Sequence, residues 1–311
     1  MSQFQSRTLE IVQETAVLAG IISVKWTISC LILIASASLA VAQADPTSRS
    51  WNQPVRPFRI AGNLYYVGAT EVTAFLITTP KGHILLDGGF AETASQIERN
   101  VAQLGFNLHD VKFLLVSHAH FDHVGGLAEL RKLTGASVVA TAPDVELLRN
   151  GGHGDFRFGD TLTFPPTKVD RVIGDGESIE IGGQKMTARL TPGHTKGNTT
   201  WTMKISDGNS QYDVVFAGSL SALDYRLIGA ESYPGIAADY EKSFATMKTL
   251  PCDIFLSDHG SFFSFSEKRE RLSHGEKPNP FIDRKGYQAF VAQYEKEFRE
   301  KLARQKQQKS D

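Results

Sequence analysis

The chain has 311 residues, of which 41% are hydrophobic and 22% charged, a composition that belongs to a globular protein and excludes disordered, collagen-like and disulfide-scaffold classes. Thirty-three Lys and Arg against thirty-four Asp and Glu leave a net charge of −1, so no basic field exists to hold a nucleic-acid backbone by counterion release. Cys30 and Cys252 cannot form a thiolate zinc site by themselves, whereas nine histidines are available; a transition metal here must be carried by histidine.

Residues 1–44 read differently from the rest. A polar lead ending at Lys25 precedes an uncharged apolar run, 26–41, which closes in Val41-Ala42-Gln43-Ala44. This is the pattern of a secretory signal with an A-x-A-type site, cleaved after Ala44, and the run is shorter than the roughly 18–20 residues of a spanning helix. The expectation is export to the periplasm, with no stable membrane association after cleavage and a single mature domain over 45–311. The polar lead is long for a signal, which leaves an initiation site further in, or an uncleaved anchor, as alternatives. Cys252 then has no intramolecular disulfide partner.

Along the mature chain, short apolar stretches at 64–67, 74–77 and 84–86 are broken by Gly68, Pro80-Lys81-Gly82 and Gly88-Gly89, the pattern of strands joined by turns. Ala91, Ala94, Ile97, Val101 and Leu104 follow at helical spacing, and 111–116 is a continuous apolar run of buried-strand length. The alternation continues with helices at 127–133 and 143–148 and a strand at 137–140. Strands are then expected near Arg171 and Ile179 and at 186–190, 199–205 and 214–217. Helices at 240–249 and 287–304 bracket a last strand at 254–256. Two groups of strands, each flanked by helices, predict a four-layer α/β/β/α sandwich. Residues 151–167, rich in Gly and Phe, have no clean period and read as a surface loop of the kind that can line a site.

The chemistry concentrates in Ser117-His118-Ala119-His120-Phe121-Asp122-His123-Val124-Gly125-Gly126, directly after the strand at 111–116. Strand C-termini are where α/β sites form. Extended backbone turns His118 and His120 to one side; Asp122 and His123 follow as the chain enters a helix, and Gly125-Gly126 permit close approach of backbone. A mixed histidine and carboxylate set suits zinc, and three protein ligands per ion leave a position for water. His194, in Thr191-Pro192-Gly193-His194, and His259, in Ser257-Asp258-His259-Gly260, also follow apolar strands, so one sheet edge can gather all six groups.

With its Gly-His turn and late histidine, H-x-H-x-D-H closely resembles the metallo-β-lactamase superfamily, and the resemblance extends over about 51–301, including Leu85-Leu86-Asp87-Gly88-Gly89. It implies a first zinc on His118, His120 and His194 and a second on Asp122, His123 and His259. In Val215-Phe216-Ala217-Gly218-Ser219-Leu220-Ser221, Ser219 stands where many superfamily hydrolases, among them glyoxalase II and lactonases, place a metal-bridging Asp and where two β-lactamase subclasses place Cys. A serine there resembles the third subclass of class B, in which serines at the positions of Ser219 and Ser221 hold the substrate carboxylate; the alternative is a plain turn after a strand.

The implied function is zinc-dependent hydrolysis of the β-lactam amide by a metal-bound hydroxide, conferring antibiotic resistance, with Asp122 orienting the nucleophile. The alternatives are a superfamily hydrolase of another ester, thioester or lactone, and a metal-binding protein without catalysis. Some members of the subclass carry a late disulfide whose first half matches Cys252, but the region around Asp283 offers no second cysteine, so a buried free thiol and a C-terminal helix held by packing alone are expected. Two readings stand at Asp87: an acceptor for a ligand imidazole, or a strand-end cap. His153 is read as a solvated loop residue or a substrate contact, Phe156 and Phe158 as an apolar wall or ordinary packing, and His83, His109 and His274 as surface or turn residues.

Overall fold

The structure, a computed structural model, describes residues 50–310; the 1–44 segment with its apolar run, its cleavage site and Cys30 lies outside the described residues. The first sheet has the spatial order β1 (Phe58–Ala61), β2 (Leu64–Tyr66), β3 (Phe75–Ile77), β4 (His83–Leu86), β5 (Val111–Leu115), β6 (Ser137–Thr141), β7 (Arg171–Ile173). Pairings up to β3–β4 are antiparallel and those from β4–β5 onward are parallel. The change follows the connections, because a parallel return needs a crossover. Here the crossovers run through α1 (Thr93–Gln103), the single turn α2 (Phe121–Val124) with α3 (Leu127–Thr134), and α4 (Val145–Asn150).

The second sheet has the order β12 (Ile254–Ser257), β11 (Ser210–Ala217), β10 (Thr199–Asp207), β9 (Gln184–Leu190), β8 (Ser178–Ile181). Only β12 is parallel to its neighbour, and it is reached through α5 (Ile236–Thr249). Two further helices, α6 (Phe265–Ser273) and α7 (Arg284–Ser310), complete the chain.

Side-chain alternation makes the layers. In β4, Ile84 and Leu86 enter the core between the sheets with Phe75, Trp201 and Phe216, while Leu85 faces the other way into a cluster with Ile97, Val101, Leu127 and Leu130 from the helices. Strands buried on both faces read as unbroken apolar runs, which is why these were legible in the sequence. In β10, Trp201 turns to the first sheet and donates from Nε1 to the Val116 carbonyl at 2.9 Å, while Thr200 turns outward and donates to Met247 Sδ of α5 at 3.3 Å. Tyr240 and Phe244 of α5 pack on Phe298 of α7. This is the expected α/β/β/α sandwich.

Some elements depart from the sequence pattern. β1 is only four residues long with a partly exposed start, and α6, Phe-Ser-Glu-Lys-Arg-Glu-Arg-Leu-Ser, buries only Phe265 and Lys268; neither has a periodic apolar face to announce it. His83 is not a surface residue: it is buried at the start of β4, accepts from Thr79 N–H at 3.3 Å and meets Phe106 edge-on. Nor is α7 held by packing alone. Tyr287 Oη donates to the Met247 carbonyl, Lys248 pairs with Glu295, and at the far end Lys301 and Gln305 bond main-chain groups of residues 222–227. Polar ties to the main chain need no particular partner residue, so the sequence does not show them. Cys252 is a buried free thiol, as expected, and its burial pushes the thiol up to about 12. Among the described residues no helix is long and apolar enough to cross a membrane.

Candidate metal centre

The C-termini of β4, β5 and β6 in one sheet and of β9, β11 and β12 in the other reach the same edge, and each is followed by polar residues. Ser117 joins the two sheets there, because its carbonyl accepts from Thr199 N–H at 2.8 Å. His120 has the extended backbone expected of it, with φ −103° and ψ 152°, but its N–H donates to the His118 carbonyl at 3.0 Å, so the chain turns tightly between the two histidines and still brings both rings together. Asp122 and His123 lie in α2, just past its N-cap residue His120. Gly126 serves the close approach anticipated for it, since a Cβ there would stand 2.3 Å from the Gly88 carbonyl oxygen.

All six expected groups gather, in two adjacent clusters, and Asp258 forms a third grouping with His118 and His123 between them. In the first, His118, His120 and His194 converge, with His194 Nε2 3.1 Å from His120 Nδ1. In the second, His123 Nε2 and His259 Nε2 are 3.3 Å apart, and Asp122 Oδ2 lies 3.5 Å from the former and 3.6 Å from the latter. The His118 and His123 rings, 4.3 Å apart, join the clusters. Burial disfavours the imidazolium: it holds His118 and His120 well below the ordinary value, lowers His194, and takes His123 and His259 down to about 3. The rings are neutral and their lone pairs available.

Behind every ring stands an oxygen. His118 Nδ1 faces Asp258 Oδ2 at 3.4 Å and Ser117 Oγ at 3.2 Å; His120 Nε2 faces Asp155 Oδ2 at 3.8 Å; His194 Nδ1 donates to the Ser221 carbonyl at 2.9 Å. His123 Nδ1 faces Asp87 Oδ2 at 4.0 Å, and His259 Nδ1 faces Glu71 Oε1 at 3.7 Å. Such partners orient an imidazole and raise its basicity toward a metal. Asp87 satisfies both of its readings, since its Oδ1 also accepts Ser117 N–H at 2.8 Å while its backbone sits at φ 62°, a region Asp tolerates better than most residues.

Asp155, Asp258 and Glu71 were missed in the sequence. Asp258 had a signal, lying directly before His259; Glu71 had none. His153 is exposed and paired with Asp160 at 3.2 Å, as its loop reading had it. Phe158 stands edge-on to His120 at 4.9 Å, whereas Phe156 packs on Tyr225 and Tyr233. After β11, Ser219 Oγ and Ser221 Oγ are 3.0 Å apart, with Ser221 Oγ 3.2 Å from His194 Nδ1.

A divalent cation suits this donor set. His118 Nε2, the ring nitrogen turned away from Asp258 and into the first cluster, is buried without a hydrogen-bond partner, and an orphaned buried polar atom is costly. Burial pushes Asp87 up to about 7 and also raises Asp122 and Asp258. Lys268 is the one buried Lys or Arg among the described residues, and it is engaged by Asp283 at 2.8 Å. The site therefore concentrates carboxyl groups and imidazole lone pairs with no buried side-chain cation among them in the described residues, and zinc prefers this mixture.

The chain belongs to the metallo-β-lactamase superfamily, whose family model matches residues 67–259; it is a metal-binding hydrolase of that class. Within the class, solved structures similar to it include the FEZ-1 metallo-β-lactamase from Legionella gormanii (40% identity, TM-score 0.80, 82% of this chain and 98% of that one). Another is the class B3 di-zinc metallo-β-lactamase LRA-12 from an Alaskan soil metagenome (38%, TM-score 0.77, 85% and 98%). Curated relatives point more broadly. The probable metallo-hydrolase YqgX of Bacillus subtilis is 30% identical over 202 residues, 62% of this chain and 87% of that protein. A hydroxyacylglutathione hydrolase of Ectopseudomonas mendocina is 28% identical over 138 residues, 44% of this chain and 42% of that one.

Proposed function

We propose that this chain is a β-lactamase that hydrolyses the lactam amide with two zinc ions, one on His118, His120 and His194 and one on Asp122, His123 and His259. The observation that carries the substrate assignment is the hydroxyl pair Ser219–Ser221 beside the first cluster, where an acid bridging both clusters would favour another substrate class. Its likeness to FEZ-1 and LRA-12 over most of its length supports the same reading.

Zinc held in these clusters supplies Lewis acidity and makes water reactive near neutral pH. The protein's own groups do the rest. Ser221, seated by Ser219, takes the substrate carboxylate and so sets the lactam carbonyl over the clusters. The Asp122 carboxylate orients the attacking water and takes up its proton as the C–O bond forms; the ring C–N bond then breaks and the departing nitrogen takes a proton in turn, which leaves Asp122 ionised again. Phe158 screens His120 from solvent, and the oxygens behind the five rings keep the lone pairs aimed inward.

The test is nitrocefin turnover by the purified protein, abolished by EDTA and restored by zinc; no turnover by a folded, zinc-loaded preparation would refute the reading. The hydroxyacylglutathione hydrolase relative favours a second reading, a thioesterase, and a panel in which thioester cleavage far exceeds lactam cleavage would decide for it. The periplasm is the proposed setting, on the strength of the 26–44 pattern.

A further inference from the structure

Asp144 ends the turn after β6 and stands at the N-cap of α4, yet its side chain makes no cap bond to its own helix. The carboxylate turns the other way and is only 1% exposed. Its Oδ2 accepts from Ala119 N–H, the peptide between His118 and His120, at 2.9 Å, and from Thr195 Oγ1, the residue after His194, at 3.3 Å. Its Oδ1 accepts from Gly197 N–H at 3.0 Å. The Gly197 carbonyl is gripped in turn by Thr141 Oγ1 and Thr199 Oγ1, both at 2.8 Å. Gly197 has to be glycine for this approach, since a Cβ there would lie 2.3 Å from Asp144 Cγ.

We propose that Asp144 is a positioning residue that locks the turn bearing His118 and His120 to the turn bearing His194, and thereby sets the zinc affinity of the first cluster independently of the second. The two turns leave different sheets, one after β5 and the other between β9 and β10, so the 3.1 Å approach of His120 Nδ1 to His194 Nε2 is decided by what ties the turns together. Asp144 is bonded to both. In the second cluster His123 and His259 are backed instead by Asp87 and Glu71. The carboxylate is required by its three donors: Asn at 144 would turn one acceptor into a donor facing another donor, leaving a buried N–H or O–H unsatisfied and the turns free to separate.

This inference rests on the two-zinc reading and is tested by metal binding rather than turnover. Zinc is titrated into metal-free protein against a chromophoric chelator, and each binding event is assigned by NMR of ¹⁵N-labelled histidine through the rings that shift. In Asp144→Asn, the event that shifts His118, His120 and His194 is expected to weaken about 10- to 100-fold, the usual scale for an outer partner of a metal ligand, while the event at His123 and His259 keeps its affinity. An unchanged first event, or equal weakening of both, overturns the proposal. Should Asp144→Asn fail to fold, Thr195→Val removes one of the three bonds and is expected to weaken the first event several-fold, with Thr195→Ser restoring it; a first event equal to wild type in Thr195→Val overturns it as well. Wild-type rings that do not respond to zinc would remove the underlying metal assignment, and this inference with it.

Discussion

Replacing Ser221 by Ala tests the substrate assignment most directly. Ser221 is partly exposed beside the clusters, while Ser219 is buried and spends its hydroxyl on Ser221, whose Oγ is 3.0 Å away and whose N–H is 3.4 Å away. A hydrogen bond from Ser221 to a substrate carboxylate is charge-assisted, worth about 1.5–3 kcal/mol, so Ser221→Ala should raise KM roughly 10- to 150-fold. Ser219→Ala loses only a neutral bond that seats its neighbour, about 0.5–1.5 kcal/mol, and should raise KM about 2- to 12-fold. Neither change touches the Ser221 carbonyl that accepts from His194 Nδ1, so zinc content should not move. The assay measures KM and kcat on nitrocefin and on a β-lactam whose carboxylate is esterified. The Ser221→Ala defect should fall on KM and vanish on the ester; equal losses on both substrates, or a loss confined to kcat, would refute the reasoning.

Two further outcomes follow from the same geometry. Asp122→Ala leaves the second cluster with two imidazoles, so bound zinc should fall from two equivalents to about one by elemental analysis and nitrocefin turnover by at least about 100-fold, the upper end for losing a mere outer partner; full activity in this variant would contradict the role given to Asp122. Zinc uptake should also release protons between pH 6 and 7. In the metal-free chain burial holds Asp87 up to about 7 and Asp144 up to about 6, so these carboxyls keep protons that nearby dications displace. The imidazoles are shifted the opposite way, already neutral in that range, and release none. Affinity should therefore rise with pH through 6–7, and calorimetry in buffers of different ionisation enthalpy reads the proton count; zero release or net uptake at pH 6.5 would show the sign to be wrong.

Much of this site was legible along the chain, for a local reason. His118, His120, Asp122 and His123 stand within six residues of one another, and strand and helix-start geometry keeps such neighbours together whatever surrounds them. His194 and His259 were readable because each follows an apolar strand, and ends of strands in one sandwich collect at common edges. The inter-sheet core was legible for the same reason, in runs such as Ile84-Leu85-Leu86 that are buried on both faces. Short or uniformly polar elements were not: β1 and α6 owe their conformation to neighbours rather than to a period of their own.

The sequence by itself determined which residues could bind metal and which layers could bury them, because ligand chemistry and apolar periodicity are carried by near neighbours. Only the tertiary structure decided what stands behind each ligand. Glu71 reaches His259 and Asp155 reaches His120 from distant loops, and Asp144 bridges turns that leave two different sheets. A carboxylate acts on an imidazole or an amide only within a few ångströms and along one direction, and that placement is set by how the two sheets pack and where their strands end.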